Sequence, residues 1–265
     1  MTEKITIARL HEMKKTGEKI VSLTAYDASF ARILDTAGID ITLVGDSLGM
    51  VLHGEDDTLA VSMEDMTYHS RIVSRACQRS LVVVDMPHRS YETGHQACTN
   101  ALRLVEAGGA DVVKLEGGVE QAETVASLTG RGIPVCGHVG LQPQSIKEYG
   151  GYKVQGRSKE QAERILAGAR ALQAAGACMV VLECIPAALA QRVSNEITVP
   201  TIGIGAGVNC DGQVLVVYDV LGLSARSPHM AKNFLAETGS IQEAVQEYIR
   251  AVKTREFPGP EHSFE

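Results

Sequence analysis

The stretch Asp111-Val-Val-Lys-Leu-Glu116, followed by two glycines, decides the fold of this chain. A short β-branched run that ends in an acid and glycines is typical of a buried parallel strand leading into a loop. Because side chains alternate along a strand, Lys114 and Glu116 share one face, whereas Val113 and Leu115 share the other. A lysine and a glutamate on one face of an apolar strand indicate either an ion pair within the core or a functional site.

Three segments of the chain repeat this pattern, at residues 34–46, 104–116 and 172–183. In each, a predicted helix ends on Ala-Gly, a strand follows, and a carboxylate stands seven or eight residues after the glycine. Glycine at the end of a helix fits the left-handed conformation that other residues resist. A fourth predicted strand, at residues 80–85, also ends in an acid. The sequence therefore places carboxylates at the carboxyl ends of four strands.

The composition excludes several classes of protein. With 265 residues, 45% of them hydrophobic, the chain is long enough to form a large packed core. The net charge of -7 argues against nucleic acid as the main partner, because phosphate binding requires a basic face. No apolar run approaches the roughly 18 residues that span a bilayer, and no apolar signal segment follows Met1, so we expect a cytoplasmic protein without a membrane partner. The six cysteines show no C-x-x-C pairing, which argues against a zinc site and a disulfide framework.

Eight short apolar strands alternate with predicted helices along the chain. This alternation is typical of an α/β fold of the (β/α)₈ TIM barrel type, with a doubly wound open sheet as the alternative. We favour the barrel because polar groups stand near the carboxyl ends of strands 2, 3, 4 and 6, where barrel active sites lie. No linker divides residues 1–265, so we predict a single barrel domain with a short N-terminal helix at residues 6–15. The predicted strands are residues 20–25, 40–45, 81–84, 111–116, 134–139, 179–182, 200–205 and 214–218.

Three acids from neighbouring strands form the predicted metal site. Asp46, Asp85 and Glu116 follow strands 2, 3 and 4, so their side chains would converge in a barrel. Three adjacent carboxylates cannot all stay ionised unless a cation offsets their charge. Ligands of oxygen alone select a hard ion such as Mg²⁺ over zinc. The alternative for Asp46 and Ser47 is a helix N-cap, a common role for such residues after a strand.

Three further residues are candidates for the chemistry. Glu183 ends strand 6, and its apolar flanks would desolvate the carboxylate and make it a stronger base; the alternative is a buried structural glutamate. Lys114 would supply positive charge beside the metal, suited to a carboxylate or an enolate, or it pairs with Glu116 alone. His138 on strand 5 is a candidate hydrogen-bond partner for a substrate oxygen, although a lone histidine is as often structural.

The polar, glycine-containing segment at residues 140–157 shows little helical periodicity. A loop of this length in a compact domain is usually functional, so we predict that it forms a lid or contacts the substrate. A hard cation, a lysine and an opposed carboxylate base together indicate enolate chemistry. Chelation of a 2-oxo acid by Mg²⁺ polarises its ketone and stabilises the enolate that forms when a base removes the adjacent proton.

Eight motifs, spread in order over nearly the whole chain, resemble those of the ketopantoate hydroxymethyltransferase (3-methyl-2-oxobutanoate hydroxymethyltransferase) family. Several are long enough to be specific, and they run from residue 24 to residue 234. The motifs are TAYD at 24–27, LVGDSLG at 43–49, VKLEGG at 113–118, GHVGL at 137–141, GGYKVQGR at 150–157, IGIGAG at 202–207, DGQ at 211–213 and KNF at 232–234.

The resemblance implies a barrel of the phosphoenolpyruvate/pyruvate type and a step in pantothenate biosynthesis. In that reaction 5,10-methylenetetrahydrofolate, as co-substrate, donates a hydroxymethyl group to 3-methyl-2-oxobutanoate and gives 2-dehydropantoate. It also implies a large homo-oligomer, a homodecamer, and Glu183 as the proton acceptor. The site residues that the resemblance implies are Asp46, Asp85 and Glu116 for Mg²⁺, and Asp46, Ser47, Asp85, Lys114 and His138 for the substrate.

Two other functions remain open on the sequence. One is a Mg²⁺-dependent aldolase or lyase acting on another 2-oxo acid, which would need no folate. The other is a catalytically silent barrel that serves as a binding or assembly protein. The loss of one of the four acids would have suggested the silent barrel, and all four are present.

Overall fold

Eight parallel strands close into a barrel in the computed structural model, which describes residues 3–224 and 227–265. Each strand pairs with the next along the chain, and β8 returns to β1 with Ile20 beside Gly212. This closure confirms the predicted barrel, and the open-sheet alternative is wrong. The strands are β1 Ile20–Thr24, β2 Ile41–Val44, β3 Leu81–Asp85, β4 Val112–Glu116, β5 Val135–Gly140, β6 Met179–Glu183, β7 Thr201–Ile204 and β8 Gly212–Leu215.

The helices surround the barrel, and none in the described ranges is long and apolar enough to cross a membrane. Most begin at a Ser, Thr or Asp whose side chain accepts a main-chain N–H, as at Thr6 before α1. They are α1 Ile7–Thr16, α2 Ala28–Ala37, α3 Leu48–Val51, α4 Met63–Ala76, α5 Gly94–Glu106, α6 Ala122–Thr129, α7 Ile146–Tyr149, α8 Lys159–Ala174, α9 Ala187–Glu196, α10 Val217–Val220 and α11 Ile241–Lys253.

The barrel interior is apolar at its amino end and charged at its carboxyl end. Leu10 and Met13 of α1 close the amino end, where they pack with inward-facing strand residues such as Leu81 and Val83. Because alternate residues of a strand face the same side, Asp85 continues the inward face of β3. The same alternation carries Lys114, Glu116, His138 and Glu183 inward at the ends of their strands.

The last strand differs from the prediction at residues 214–218. β8 starts earlier, at Gly212, and the chain leaves the sheet after Leu215 to form α10 from Val217. A β-carbon at Gly212 would lie 2.5 Å from the carbonyl oxygen of Ile20, so only glycine fits this position against β1. The Val217 N–H donates to Thr24 Oγ1 at 3.0 Å, which turns the chain out of the barrel. The apolar, β-branched run at residues 214–218 predicts a strand, but tertiary contacts override this strand propensity.

The segment at residues 140–157 follows β5 and contains more regular structure than its sequence indicated. A 3₁₀ turn at Pro143–Ser145 leads into the single-turn helix α7. Gln155 then returns to the sheet, where its N–H donates to the Cys184 carbonyl at 2.9 Å. Both ends of the segment are therefore tied to the carboxyl end of the barrel.

Candidate active site

Three of the predicted site acids lie at the mouth of the barrel. Asp85 and Glu116 are the last residues of β3 and β4, and Asp46 stands two residues after β2. All three are buried, with no more than 4% of each residue exposed. The Asp46 N–H donates to Asp85 Oδ2 at 3.1 Å. Because β2, β3 and β4 are neighbours, the strand order brings these side chains to one place, as the sequence predicts.

Lys114 pairs with Asp85 rather than with Glu116 alone. The parallel register sets these two residues side by side, and Lys114 Nζ lies 2.6 Å from Asp85 Oδ1. Burial by itself would lower the pKa of Lys114, but the carboxylates of Asp85, Glu116 and Asp46 outweigh it and raise the pKa above its ordinary value. The ammonium group therefore stays charged inside the barrel.

One lysine does not balance the acids of the mouth. Burial, followed by the charge of Asp85, raises the pKa of Asp46 to about 7. Burial, followed by the charge of Asp46, also raises the pKa of Glu116 well above its ordinary value. Buried carboxyl groups whose pKa values rise in this way lack a compensating positive charge. The mouth is therefore suited to an additional cation.

The donor atoms fit a hard divalent cation such as Mg²⁺, because all are carboxylate oxygens. Asp85 Oδ1 accepts no well-directed hydrogen bond from any described residue, although Lys114 lies within ion-pair distance. In residues 3–224 and 227–265, however, no group of three or more His, Cys, Asp or Glu side chains is arranged to hold a metal ion. Asp46 and Glu116 each accept a hydrogen bond from Gln144. The chemistry of the donor set, three buried carboxylates with Asp85 Oδ1 left without a hydrogen bond, fits the metal.

His138 stands between two acids inside the barrel. Its Nε2 atom lies 3.2 Å from Glu183 Oε2, and its Nδ1 atom lies 3.6 Å from Glu116 Oε1. Neither contact has the geometry of a hydrogen bond. Burial lowers the pKa of His138, so the ring is neutral at neutral pH. His138 therefore lies between the predicted base Glu183 and Glu116, and its neutral ring adds no charge to the site.

Glu183 and Ser47 complete the predicted set. Glu183 ends β6, and its side chain is only 12% exposed. The Ser47 hydroxyl lies 2.9 Å from the Tyr26 hydroxyl. Ser47 precedes α3, but its side chain makes no capping hydrogen bond there, and the Asp46 carboxylate accepts from Gln144. Ser47 therefore occupies the N-cap position of α3, as the alternative predicts, but neither side chain of the pair caps the helix by a hydrogen bond.

The sequence does not predict two buried residues at the site, Gln144 and Tyr91. Gln144 lies in the 3₁₀ turn at Pro143–Ser145 and contacts Asp46 and Glu116, and the Tyr91 hydroxyl donates to Gln144 Oε1 at 2.5 Å. In the sequence, Gln144 belongs to a polar segment in which residue type alone does not separate it from the less buried Gln142. The position of the turn over the acids is set by tertiary structure.

Two contacts join the segment at residues 140–157 to the loop after β2. Lys147 Nζ lies 3.1 Å from Asp57 Oδ2, and the Tyr152 hydroxyl donates to Met50 Sδ at 3.4 Å. The Lys147 side chain is largely exposed, so its ion pair is weak in water. The two loops meet beside the barrel mouth through contacts of low strength.

Comparison with known proteins identifies the family. A family profile described as Ketopantoate hydroxymethyltransferase matches residues 4–260. The chain belongs to the ketopantoate hydroxymethyltransferase family. It is 56% identical over 262 residues to a protein of Shewanella loihica named 3-methyl-2-oxobutanoate hydroxymethyltransferase, covering 98% of this chain and 99% of that protein. A protein of the same name from Halorhodospira halophila is 52% identical over 261 residues, with 98% and 95% covered.

Solved structures share the fold of this family member at low sequence identity. A 2,3-dimethylmalate lyase, described as a PEP mutase/isocitrate lyase superfamily member, aligns with a TM-score of 0.59 and 16% identity over 98% of this chain and 88% of its own. A phosphonopyruvate hydrolase in complex with oxalate and Mg²⁺ aligns with a TM-score of 0.61 and 14% identity, over 94% and 98%. These likenesses confirm the TIM barrel fold.

Proposed function

We propose that this protein transfers a hydroxymethyl group from 5,10-methylenetetrahydrofolate to 3-methyl-2-oxobutanoate and gives 2-dehydropantoate, in pantothenate biosynthesis. The observation that carries the proposal is its membership of the ketopantoate hydroxymethyltransferase family over residues 4–260. Relatives more than half identical along nearly the whole chain carry the name of this activity. The four acids and the lysine at the barrel mouth supply the charge that enolate chemistry requires.

We propose Mg²⁺ as the cofactor, held by Asp46, Asp85 and Glu116. Three buried carboxylates on neighbouring strands, two of them with raised pKa values, support a divalent cation at this place. When bound, Mg²⁺ would polarise the ketone of the oxo acid and offset the negative charge that develops on it. The complex of phosphonopyruvate hydrolase, a protein of the same fold, with oxalate and Mg²⁺ supports this proposal.

The remaining residues take roles that follow from their positions. Glu183, at the end of β6, would remove the C3 proton of the oxo acid and leave the electron pair to form the bond to the one-carbon unit. Overall the transfer consumes one water, which supplies the hydroxyl oxygen, and releases tetrahydrofolate. Lys114, charged and buried, would face the carboxylate or developing negative charge of the substrate. His138, neutral and beside Glu183, would donate or accept one hydrogen bond to a substrate oxygen. Ser47 would contact the substrate from the β2 side.

The Mg²⁺-dependent aldolase or lyase is not favoured. The relatives at 52–56% identity carry the transferase name, whereas the 2,3-dimethylmalate lyase is 16% identical and shares the fold alone. The cytoplasmic location and the homodecamer stay predictions that rest on the sequence and on the family resemblance.

An assay of 2-dehydropantoate formation tests the function. The purified protein, with 3-methyl-2-oxobutanoate and Mg²⁺, should form this product only when 5,10-methylenetetrahydrofolate is present. Mass spectrometry of the product measures it. Cleavage of a longer 2-oxo acid without folate, in place of 2-dehydropantoate formation, would favour the lyase alternative.

A further inference from the structure

Gln144 makes four hydrogen bonds at the barrel mouth. Its Nε2 atom donates to Asp46 Oδ2 at 2.8 Å and to the Met86 carbonyl at 2.9 Å. Its main-chain N–H donates to Glu116 Oε2 at 3.0 Å, and its Oε1 accepts from the Tyr91 hydroxyl. Gln144 is 6% exposed, so these bonds form away from water, where they are strong and directional.

These partners fix the orientation of the Gln144 amide. The Met86 carbonyl can only accept a hydrogen bond, so the amide nitrogen must face it, and the same nitrogen then faces Asp46. The Tyr91 hydroxyl can donate to the oxygen that remains. An amide flip would set oxygen against oxygen at Asp46 and Met86. The amide therefore has one arrangement in this environment.

Among the described residues, Gln144 alone donates hydrogen bonds to both the Asp46 and the Glu116 carboxylate. These acids come from β2 and β4, on either side of β3. We propose that Gln144 is a positioning residue: its hydrogen bonds restrain the carboxylates of Asp46 and Glu116 at the barrel mouth, so that less side-chain ordering is needed when a divalent cation binds there. The inference deepens the proposed function and rests on its metal site.

The 3₁₀ turn at Pro143–Ser145 places Gln144 against the acids. Proline starts the turn, and the Ser145 N–H closes it on the Gln142 carbonyl at 2.9 Å. This geometry directs the Gln144 N–H and side chain toward the same cluster of acids. Carboxylate ligands that are held by hydrogen bonds from outer groups bind metal more tightly than free ones. The turn therefore couples the segment at residues 140–157 to the ligand geometry.

The test replaces Gln144 by methionine, which keeps most of the side-chain volume but removes the amide donors. Binding of Mn²⁺ alone, without oxo acid or folate, is measured by electron paramagnetic resonance of the free ion on the full-length protein. We expect the dissociation constant of the Gln144→Met variant to rise about 10–100-fold, the usual effect of losing an outer-shell partner. Unchanged Mn²⁺ affinity in a folded Gln144→Met variant would overturn the inference.

Two further variants separate the amide from the turn. Gln142→Met, in the same turn, is the matched control, because the Gln142 side chain is less buried and only its carbonyl closes the turn. It should bind Mn²⁺ like the wild type, and an equal loss in both variants would overturn the role of the Gln144 amide. Tyr91→Phe keeps Gln144 but removes the donor to its oxygen, so we expect a smaller loss, about 2–10-fold.

The Tyr91 variant also keeps the test decisive where Gln144→Met does not fold. A folded Tyr91→Phe protein with wild-type Mn²⁺ affinity would then count against the inference. The failure of the proposed metal site is distinct, because in that case the wild type itself would not bind Mn²⁺. Wild-type binding with no effect of either variant would leave the metal site standing and remove Gln144 from it.

Discussion

The two ends of the barrel both carry charged side chains, but they satisfy them differently. At the amino end, Asp35, Asp40 and Asp211 meet main-chain N–H groups, and the latter two also meet basic side chains. At the carboxyl end, four acids face one buried lysine. Buried polar groups in a stable core are normally fully paired. The paired charges of the amino end are therefore typical of a structural role, and the unbalanced charges of the carboxyl end are typical of a ligand-binding site.

Two aspartates illustrate the amino end. Asp211 Oδ2 lies 2.7 Å from Lys14 Nζ and accepts from the N–H and hydroxyl of Thr201 at 2.8 and 2.9 Å. Asp40 lies 3.1 Å from Arg79 and accepts from main chain as well. The Asp211 bonds connect α1 with the starts of β7 and β8, and the Asp40 bonds connect the start of β2 with β1 and with the segment before β3. We infer that this end supports the barrel.

The mouth shows the opposite balance. Four acids share one lysine and a neutral histidine there. Burial raises the pKa values of two of them, with a further contribution from the charge of Asp85 at Asp46 and from the charge of Asp46 at Glu116. Natural proteins keep such destabilising arrangements where function needs them. Three measurements sharpen this comparison.

The largest effect is expected at Glu183. If it is the base, the wild type with Mg²⁺ should exchange the C3 proton of 3-methyl-2-oxobutanoate for deuterium in D₂O even without folate. Glu183→Gln keeps the size of the side chain but cannot accept a proton, so exchange should slow roughly 10²–10⁴-fold while the oxo acid still binds. Proton NMR of the C3 signal measures the rate.

Glu160→Gln, at an exposed position in the first turn of α8, is the matched control for the loss of a glutamate charge. It should exchange at the wild-type rate. Exchange at that same rate in Glu183→Gln would assign the proton transfer to another group, with His138 as the first candidate because of its distance of 3.2 Å from Glu183.

A smaller effect is expected when one carboxylate charge is removed, and the change in the free energy of unfolding should have opposite signs at the two ends. Asp211→Asn breaks a mostly buried ion pair with Lys14, so the free energy of unfolding should fall by about 2–4 kcal/mol. Asp46→Asn removes an unbalanced charge, so the metal-free protein at pH 8 should gain about 1–3 kcal/mol. Urea unfolding in EDTA measures both. Equal destabilisation by the two substitutions would contradict the comparison.

The barrel and its acids could be predicted because each depends on local sequence. Neighbouring residues determine where helices end on Ala-Gly, where the short apolar strands lie and how side chains alternate along them. This alternation places Asp85 and Glu116 on the inward face. The family prediction is confirmed as well. The predicted bounds of β8 are wrong because the start of this strand depends on the close approach of Gly212 to Ile20. This contact joins distant parts of the chain.

Contacts between distant residues also explain what the sequence could not show at the site. The ion pair of Lys114 with Asp85 depends on the register of β3 against β4. Gln144 reaches Asp46 from a position 98 residues later in the chain, through a turn that residue types do not locate. No pattern within one segment carries such information.

The smallest expected effect is the pH dependence of stability, and it distinguishes the ends by its sign. Asp46 has a folded-state pKa of about 7 against an ordinary value of 3.8, so between these values the folded protein holds a proton that the unfolded chain has lost. Its contribution to stability is therefore present at low pH and is lost as the pH rises through 7. For Asp35 at the amino end burial would raise the pKa, but three main-chain N–H groups outweigh it and lower the pKa, so its contribution is lost only as the pH falls.

The free energy of unfolding of the wild type minus that of Asp46→Asn isolates this aspartate from the other groups of the mouth. In EDTA this difference should fall by about 1 kcal/mol per pH unit between pH 5 and 7, since one proton is linked to folding. Glu116 titrates with the same sign and His138 with the opposite sign, and subtraction of the variant removes most of both contributions. Saturating Mg²⁺ should flatten the wild-type curve, because a cation at the acids keeps Asp46 ionised in the folded state. A difference that rises with pH would mean that Asp46 is already neutralised by the protein itself, and that the mouth resembles the amino end.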